Sequence, residues 1–287
     1  MLTKKEKDMF MNLGPIEKSF VEDMTAECIK PRDPEFNMML NERCVDQKRV
    51  YNYIYRKEKS IVDFYFLCNK LKNVIRTGWK VWNVNRERLE SVAEHIYSVQ
   101  MLAISMYYTY GYELDLEKVL YMLAIHELGE IEIGDITQFQ ISKEAKEVKE
   151  HAAVHAILST LISSSDIEDL FLEFDAHETK ESRFAYMCDK LDCDLQSILY
   201  DEEGCVDLNH QEGNKVKENP LVKKLLDEGC TYSEMWVRYG QIKYPYDENF
   251  MAVSKYADEF GITKSKKFKP KSDPKQVGKN DKDYVNY

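Results

Sequence analysis

One imidazole and several carboxylates lie within ten residues near the middle of the chain. His126 and Glu127 follow an apolar helical pattern, and Glu130 and Asp135 come shortly after them. Neutral imidazoles and carboxylates bind divalent metal ions in hydrolytic sites that keep one position open for water. The H-E-x-x-H motif of zinc proteases is absent, because position 130 is Glu rather than His. The cluster therefore needs ligands from elsewhere in the chain.

Two other segments supply such ligands, namely His95 upstream and Asp189 downstream. Each is predicted to lie on a helix of its own. Neighbouring helical residues point about 100° apart, so His126 and Glu127 reach one ion only if it lies between their directions. Glu130 falls on the same side of the helix as these two. We therefore interpret His95, His126, Glu127 and Asp189 as a site for one metal ion.

The first helices around this site are predicted from apolar spacing and capping residues. Apolar residues recur every three or four positions from Ser60 to about Thr77, and a polar connector follows over 79–89. Ser91 is a good N-cap residue, and Glu94 completes a capping box. The helix that begins there carries the upstream histidine.

The later elements are also predicted to be helical. Asp115 caps the helix that leads to the central cluster. A helix over about 143–163 carries His151 and His155 one turn apart, for which a structural role is favoured over metal binding. A long helix over about 180–200 carries the downstream carboxylate. No alternating pattern of any length predicts a strand, so the fold class is all-α.

Composition excludes several classes of protein. The 287 residues carry a net charge of −11, which argues against a broad nucleic-acid surface. No apolar run approaches the ~20 residues that span a bilayer, and the N-terminus lacks the pattern of a secretory signal. We therefore expect a cytoplasmic protein with no membrane partner. The seven cysteines are scattered without a C-x-x-C pair, which argues against a disulfide framework.

Several motifs, taken together and in order, resemble the HD-domain phosphohydrolase superfamily and, within it, the 5'-deoxynucleotidase-like branch. The motifs are Arg76-Thr77-Gly78-Trp79, Ser91-Val92-Ala93-Glu94-His95, His126-Glu127-Leu128-Gly129-Glu130 with Gly134-Asp135, and Asp189-Lys190-Leu191. The resemblance implies an HD-domain helical bundle over 60–205. An N-terminal helical extension over 1–59 and C-terminal helices over 206–262 would flank it, with a basic, flexible tail over 263–287.

The resemblance also implies roles for individual residues. One divalent ion (Mn, Co, Zn or Fe) would be held by the four ligands proposed above. Glu130 and Asp135 would be catalytic, one in proton transfer and the other in orienting water or substrate. Arg76 and Arg88 would contact the substrate phosphate, and Trp79 would pack near the sugar. A homodimer is a further expectation from the same resemblance.

The ligand set departs from the family pattern at one position. The family normally has Asp where this chain has Glu127, which keeps the charge but adds a methylene group. We expect a hydrolase of nucleoside 5'-monophosphates, with deoxynucleotides favoured. Two alternatives stay open: a hydrolase of another nucleotide, such as a triphosphate, a cyclic nucleotide or an alarmone, and an inactive nucleotide-binding protein.

Overall fold

The computed structural model describes residues 57–136, 143–161 and 164–261. Nearly all of the predicted N-terminal extension and the whole basic tail lie outside these ranges. Regular structure in the described part is helical, and one isolated antiparallel bridge joins Ile75 to Ser91. The predicted all-α class is therefore confirmed.

The described helices range from four to 23 residues in length. They are α1 (Lys57–Asn69), α2 (Thr77–Val81), α3 (Val92–Tyr110), α4 (Leu116–Ile125), α5 (Glu130–Ile133), α6 (Lys143–Leu158), α7 (Ser165–Ala176), α8 (Lys180–Glu202), α9 (Pro220–Asp227), α10 (Tyr232–Lys243) and α11 (Glu248–Phe260), with 3-10 turns at Lys70–Lys72 and Lys215–Glu218. Among the described residues, no helix combines the length and hydrophobicity that crossing a lipid bilayer requires.

The first predicted helix is shorter than its apolar spacing suggests. α1 ends at Asn69, and the chain then runs beside the segment that precedes α3, where Arg76 N donates to Glu90 O over 3.0 Å. Val92 N likewise donates to Val74 O over 2.8 Å. These long-range backbone bonds override the local helical pattern. Helix α2 covers Thr77–Val81, so the first residues of the predicted polar connector are helical.

Two predicted helix starts are confirmed in detail. The Ser91 side chain accepts a hydrogen bond from Glu94 N, and the Glu94 carboxylate accepts one from Ser91 N, so the capping box is complete. Asp115 caps α4 by accepting from Lys118 N. A capped first turn holds the start of α3 in place, which matters because His95 lies in that turn.

α8 is the centre of the molecule and packs against α3, α4, α10 and α11. Its buried apolar residues join those of α3 and α4 in the largest core cluster, for example Val99, Met122 and Leu191. A second cluster contains Trp79 and Trp82 with residues of α9 and α10. The C-terminal helices thus pack on the bundle that carries the metal ligands predicted from the sequence.

Candidate metal centre

Four side chains from three parts of the chain converge in the interior. His95 lies on α3, His126 and Glu127 lie in the turn after α4, and Asp189 lies on α8. All four are buried, and one ligand atom of each lies within 4.8 Å of the others. His95 Nε2 is 3.1 Å from Asp189 Oδ1 and 3.7 Å from Glu127 Oε1. His126 Nε2 is 3.9 Å from Asp189 Oδ1 and 3.7 Å from Glu127 Oε1.

Hydrogen bonds at the far side of each ring aim both imidazoles at this cluster. His126 Nδ1 is 2.8 Å from Leu123 O, and a carbonyl only accepts, so Nδ1 carries the proton. His126 Nε2 is buried and has no hydrogen-bond partner in the part of the chain that the structure describes. His95 Nδ1 lies 2.8 Å from Asp192 Oδ2. Carboxylates and carbonyls behind histidines are the usual supports of metal-binding imidazoles.

These observations fit a single divalent cation. Two ligands that bind one ion at about 2.0–2.2 Å lie roughly 3–4 Å apart, and the nitrogen–oxygen distances in the cluster run from 3.1 to 3.9 Å. The lone pair of His126 Nε2 would otherwise be a buried acceptor without a partner, which costs free energy. Nitrogen and carboxylate donors suit several divalent ions, so the donor set leaves the metal's identity open.

Burial and neighbouring charges shift the pKa values of the cluster residues. Burial lowers the pKa of His126, so its ring is neutral. Burial also lowers the pKa of His95, as does Arg76, but its bonds to Asp189 and Asp192 outweigh both and raise that pKa to about 9. Burial would raise the pKa of the Asp189 carboxyl, yet Lys190 and His95 hold it well below its usual range. Without a cation, a proton on His95 therefore balances part of the carboxylate charge.

The two arginines expected to contact substrate occupy different surroundings. Arg76 is largely buried, and its Nη1 donates to Glu127 Oε1 over 2.8 Å while Nη2 donates to Cys193 Sγ over 3.2 Å. It also lines the pocket described below. Arg88 is 79% exposed, donates to Glu94 and does not line that pocket. Its substrate-binding role has no geometric support and stays a prediction.

The two carboxylates expected to be catalytic lie beside the cluster. Glu130 is buried at 1% exposure, and within the described ranges its Oε2 has no hydrogen-bond partner. Burial raises the pKa of Glu130 well above its usual value, and the charges of Glu127 and Asp135 raise it further. The Asp135 carboxylate accepts from Thr77 N, and the Thr77 hydroxyl donates to Asp135 O over 2.6 Å. Asp135 is thereby tied to the segment that carries Arg76.

A pocket of about 360 Å³ opens onto the cluster. Charged side chains form one part of its lining. They are Arg76, Glu127, Glu130, Asp135, Lys146, Asp189 and Lys190. Lys190 Nζ lies 2.7 Å from Asp189 Oδ2, so the second oxygen of that carboxylate is held away from the imidazoles.

Aromatic side chains form much of the remaining lining. They are Trp79, Trp82, Tyr186, Trp236, Tyr239 and Tyr244. Trp79 is only 2% exposed, and its Nε1 donates to Glu90 Oε2 over 2.7 Å. Its position is that of a core side chain with an edge at the pocket. The proposed packing against a sugar stays a prediction.

Sequence reasoning assigned no role to several residues of this site. Asp192 could have been assigned one, because it lies three positions after Asp189 and so shares its helix face. Lys146 and Trp236 carry no local signal, since tertiary packing alone brings them to the pocket. His151 and His155 lie outside the cluster and pair with carboxylates of α7, at 2.9 Å and 2.8 Å.

The fold and the site together define an all-helical protein. Its two imidazoles and two carboxylates lie beside a pocket that charged and aromatic side chains line. The sequence model of the HD domain family matches residues 68–227, and the chain belongs to that family. The resemblance noted from the motifs is thereby confirmed.

Named relatives point to the same branch of the family. The 5'-deoxynucleotidase HDDC2 of Dictyostelium discoideum is 33% identical over 164 residues, which cover 54% of this chain and 83% of that protein. The 5'-deoxynucleotidase hdd1 of Schizosaccharomyces pombe is 31% identical over 182 residues, 60% of this chain and 89% of the relative. The Xenopus laevis HDDC2 is 31% identical over 147 residues, 50% of this chain and 71% of the relative.

Proposed function

We propose that this protein is a metal-dependent phosphohydrolase that converts deoxynucleoside 5'-monophosphates into nucleoside and phosphate. The observation that carries the proposal is the buried cluster of two imidazoles and two carboxylates, in which His126 Nε2 has no hydrogen-bond partner among the described residues. The 5'-deoxynucleotidase names of the relatives support the choice of substrate. The pocket is large enough for a small ligand of this kind.

His95, His126, Glu127 and Asp189 would hold one divalent ion. When bound, such an ion supplies Lewis-acid chemistry, since it withdraws electron density from a phosphoryl oxygen and makes nearby water more acidic. Glu127 Oε1 lies 3.7 Å from both Nε2 atoms, so the longer side chain still reaches the cluster. This distance favours an active site over the inactive alternative.

Basic side chains beside the cluster would bind the substrate phosphate. Arg76, Lys146 and Lys190 line the pocket next to the carboxylates. A guanidinium donates several hydrogen bonds in a fixed plane, which suits phosphate oxygens, and an ammonium adds a compact positive charge. Arg76 is already oriented by Glu127. It would therefore present its remaining N–H groups without a large loss of side-chain entropy.

Glu130 and Asp135 would handle protons and orientation. Glu130 lines the pocket, and no described residue forms a hydrogen bond with its Oε2. We assign to it the proton that the departing 5'-oxygen of the nucleoside needs. Asp135, held by Thr77, would orient the attacking water or the substrate. A cytoplasmic location, expected from the sequence composition, and a homodimeric assembly, expected from the resemblance, complete the proposal.

Phosphate release from a panel of nucleotides tests this function. The purified protein is supplied with Mn²⁺, Co²⁺ or Zn²⁺ and with deoxynucleoside and ribonucleoside monophosphates, and His126→Ala is the control. We expect release by the wild type and none above background by the variant. Equal release by both would refute the proposal. Triphosphate released in one piece from a nucleoside triphosphate would favour the other nucleotide hydrolases.

A further inference from the structure

Four half-buried aromatic side chains line the pocket, and we name them the aromatic wall. Tyr186 lies on α8, Trp236 and Tyr239 lie on α10, and Tyr244 follows directly after α10. Tyr239 and Tyr186 each lie beside Tyr244, at ring-centroid distances of 6.2 and 6.3 Å. Trp236 and Tyr239 are three residues apart and so share a face of α10.

The aromatic wall adjoins the charged part of the pocket at two places. The far end of the Trp236 ring, Cη2, lies 3.8 Å from the position that a Cβ would take at Gly78, two residues after Arg76. The Lys190 Nζ, which pairs with Asp189, lies 5.0 Å from the centre of the Tyr186 ring. A molecule whose charged end lies beside these cations would therefore place its remainder against the rings.

Most of the wall comes from a part of the chain that the family's sequence model leaves out. That match ends at residue 227, whereas Trp236, Tyr239 and Tyr244 all follow it. Family membership accordingly says nothing about what these three side chains bind.

We propose that the aromatic wall is the nucleobase subsite and that it stacks the flat ring of the substrate, with Tyr239 as a principal contact. The proposal rests on the proposed function, because the phosphate of the same nucleotide would lie beside Arg76 and Lys190. Stacking of a base on an aromatic side chain contributes about 1–3 kcal/mol, and every base offers a ring face. The subsite therefore selects for the presence of a base rather than for one base.

A comparison of substrates with and without a base tests the subsite. The kcat/KM for deoxyadenosine 5'-monophosphate is divided by the kcat/KM for 2-deoxyribose 5-phosphate, which has the same phosphate and sugar. We expect Tyr239→Ala to lower this ratio roughly 5- to 150-fold, the range that corresponds to the stacking free energy above. Tyr239→Phe keeps the ring and should restore most of the ratio. Tyr256→Ala, at an exposed tyrosine of α11, is the control and should leave the ratio unchanged.

Binding without hydrolysis gives a second measurement that needs no variant to fold. Calorimetric titration of the wild type with deoxyadenosine should show binding at least about 5-fold tighter than titration with 2-deoxyribose. Equal affinities for the two, or a kcat/KM ratio that Tyr239→Ala does not lower, would overturn the subsite.

The two proposals fail in different ways. If the wild type releases phosphate equally well from both substrates, the hydrolase proposal is supported and the nucleobase subsite is overturned. If the wild type binds deoxyadenosine in preference to 2-deoxyribose but releases no phosphate, the nucleobase subsite is supported and the hydrolase proposal is overturned.

Discussion

Binding of a divalent cation to the cluster is expected to release a proton from His95. Burial and Arg76 lower the pKa of His95, but Asp189 and Asp192 raise it to about 9. A metal binds only the neutral ring, so at pH 7 the proton must leave first. The pKa of His95 lies about two units above pH 7, so about one ring in 100 is neutral there. The apparent affinity for the metal is therefore roughly 100-fold lower at pH 7 than at high pH. Affinity should thus rise about 10-fold from pH 7 to pH 8 and level off above pH 9.

Calorimetric titration of the metal-free protein with Zn²⁺ or Mn²⁺ measures this proton directly. Titrations at one pH in two buffers of different ionisation enthalpy yield the number of protons released. We expect about one proton at pH 7 and clearly fewer above pH 9. Asp192→Asn removes the carboxylate that lies 2.8 Å from His95 Nδ1 and should lower the pKa of His95. Its proton release at pH 7 should therefore fall well below one.

Asp192→Asn also distinguishes two effects of this carboxylate on metal binding, namely the protonation of His95 and the orientation of its ring. Above pH 9 the proton no longer competes, yet loss of the carboxylate behind a ligand histidine typically weakens metal binding about 10- to 100-fold. His155→Gln alters a histidine that pairs with Glu168 outside the cluster and should behave like the wild type. A metal affinity that stays constant from pH 7 to pH 9, with no proton release, would contradict the displacement of a proton from His95.

Three further predictions concern single residues. Glu127→Asp should keep stoichiometric metal, measured by elemental analysis, but should lose the 2.8 Å ion pair with Arg76 and so raise KM. Glu130→Gln should lower kcat by about 10²- to 10⁴-fold with unchanged metal content, since it loses the proton-transfer group. Gly240→Ala should destabilise the fold by about 1–3 kcal/mol in urea unfolding, because its Cβ would overlap the buried Asp194 carboxylate.

Each of these has a control and an outcome that contradicts it. Glu127→Ala should lose bound metal, and full occupancy in that variant would remove residue 127 from the ligand set. Wild-type turnover by Glu130→Gln would exclude its role in proton transfer. Ile242→Ala, at a side chain 59% exposed on the same helix as Gly240, should change stability by no more than about 0.5 kcal/mol.

Capping and periodicity predicted the main helices because those signals act within one turn. The box of Ser91 and Glu94 and the cap at Asp115 are local contacts, and both are present. The predicted helix through Thr77 was too long, because the bonds of Arg76 N and Val92 N to distant carbonyls compete with it. Such bonds leave no trace in local spacing.

Residue type and order by themselves determined the all-helical class, the family and the side chains that meet at the cluster. Helical periodicity and the lack of alternating segments indicate the class, and the ordered motifs indicate the family and the ligand-type residues. The positions of two residues become visible in the three-dimensional structure alone: Arg88 lies apart from the pocket, and the Asp192 carboxylate lies behind His95. Tertiary packing alone brought Trp236 into the pocket. The reason is physical, since the direction of a side chain depends on how its helix is rotated against its neighbours, and packing of the whole core sets that rotation.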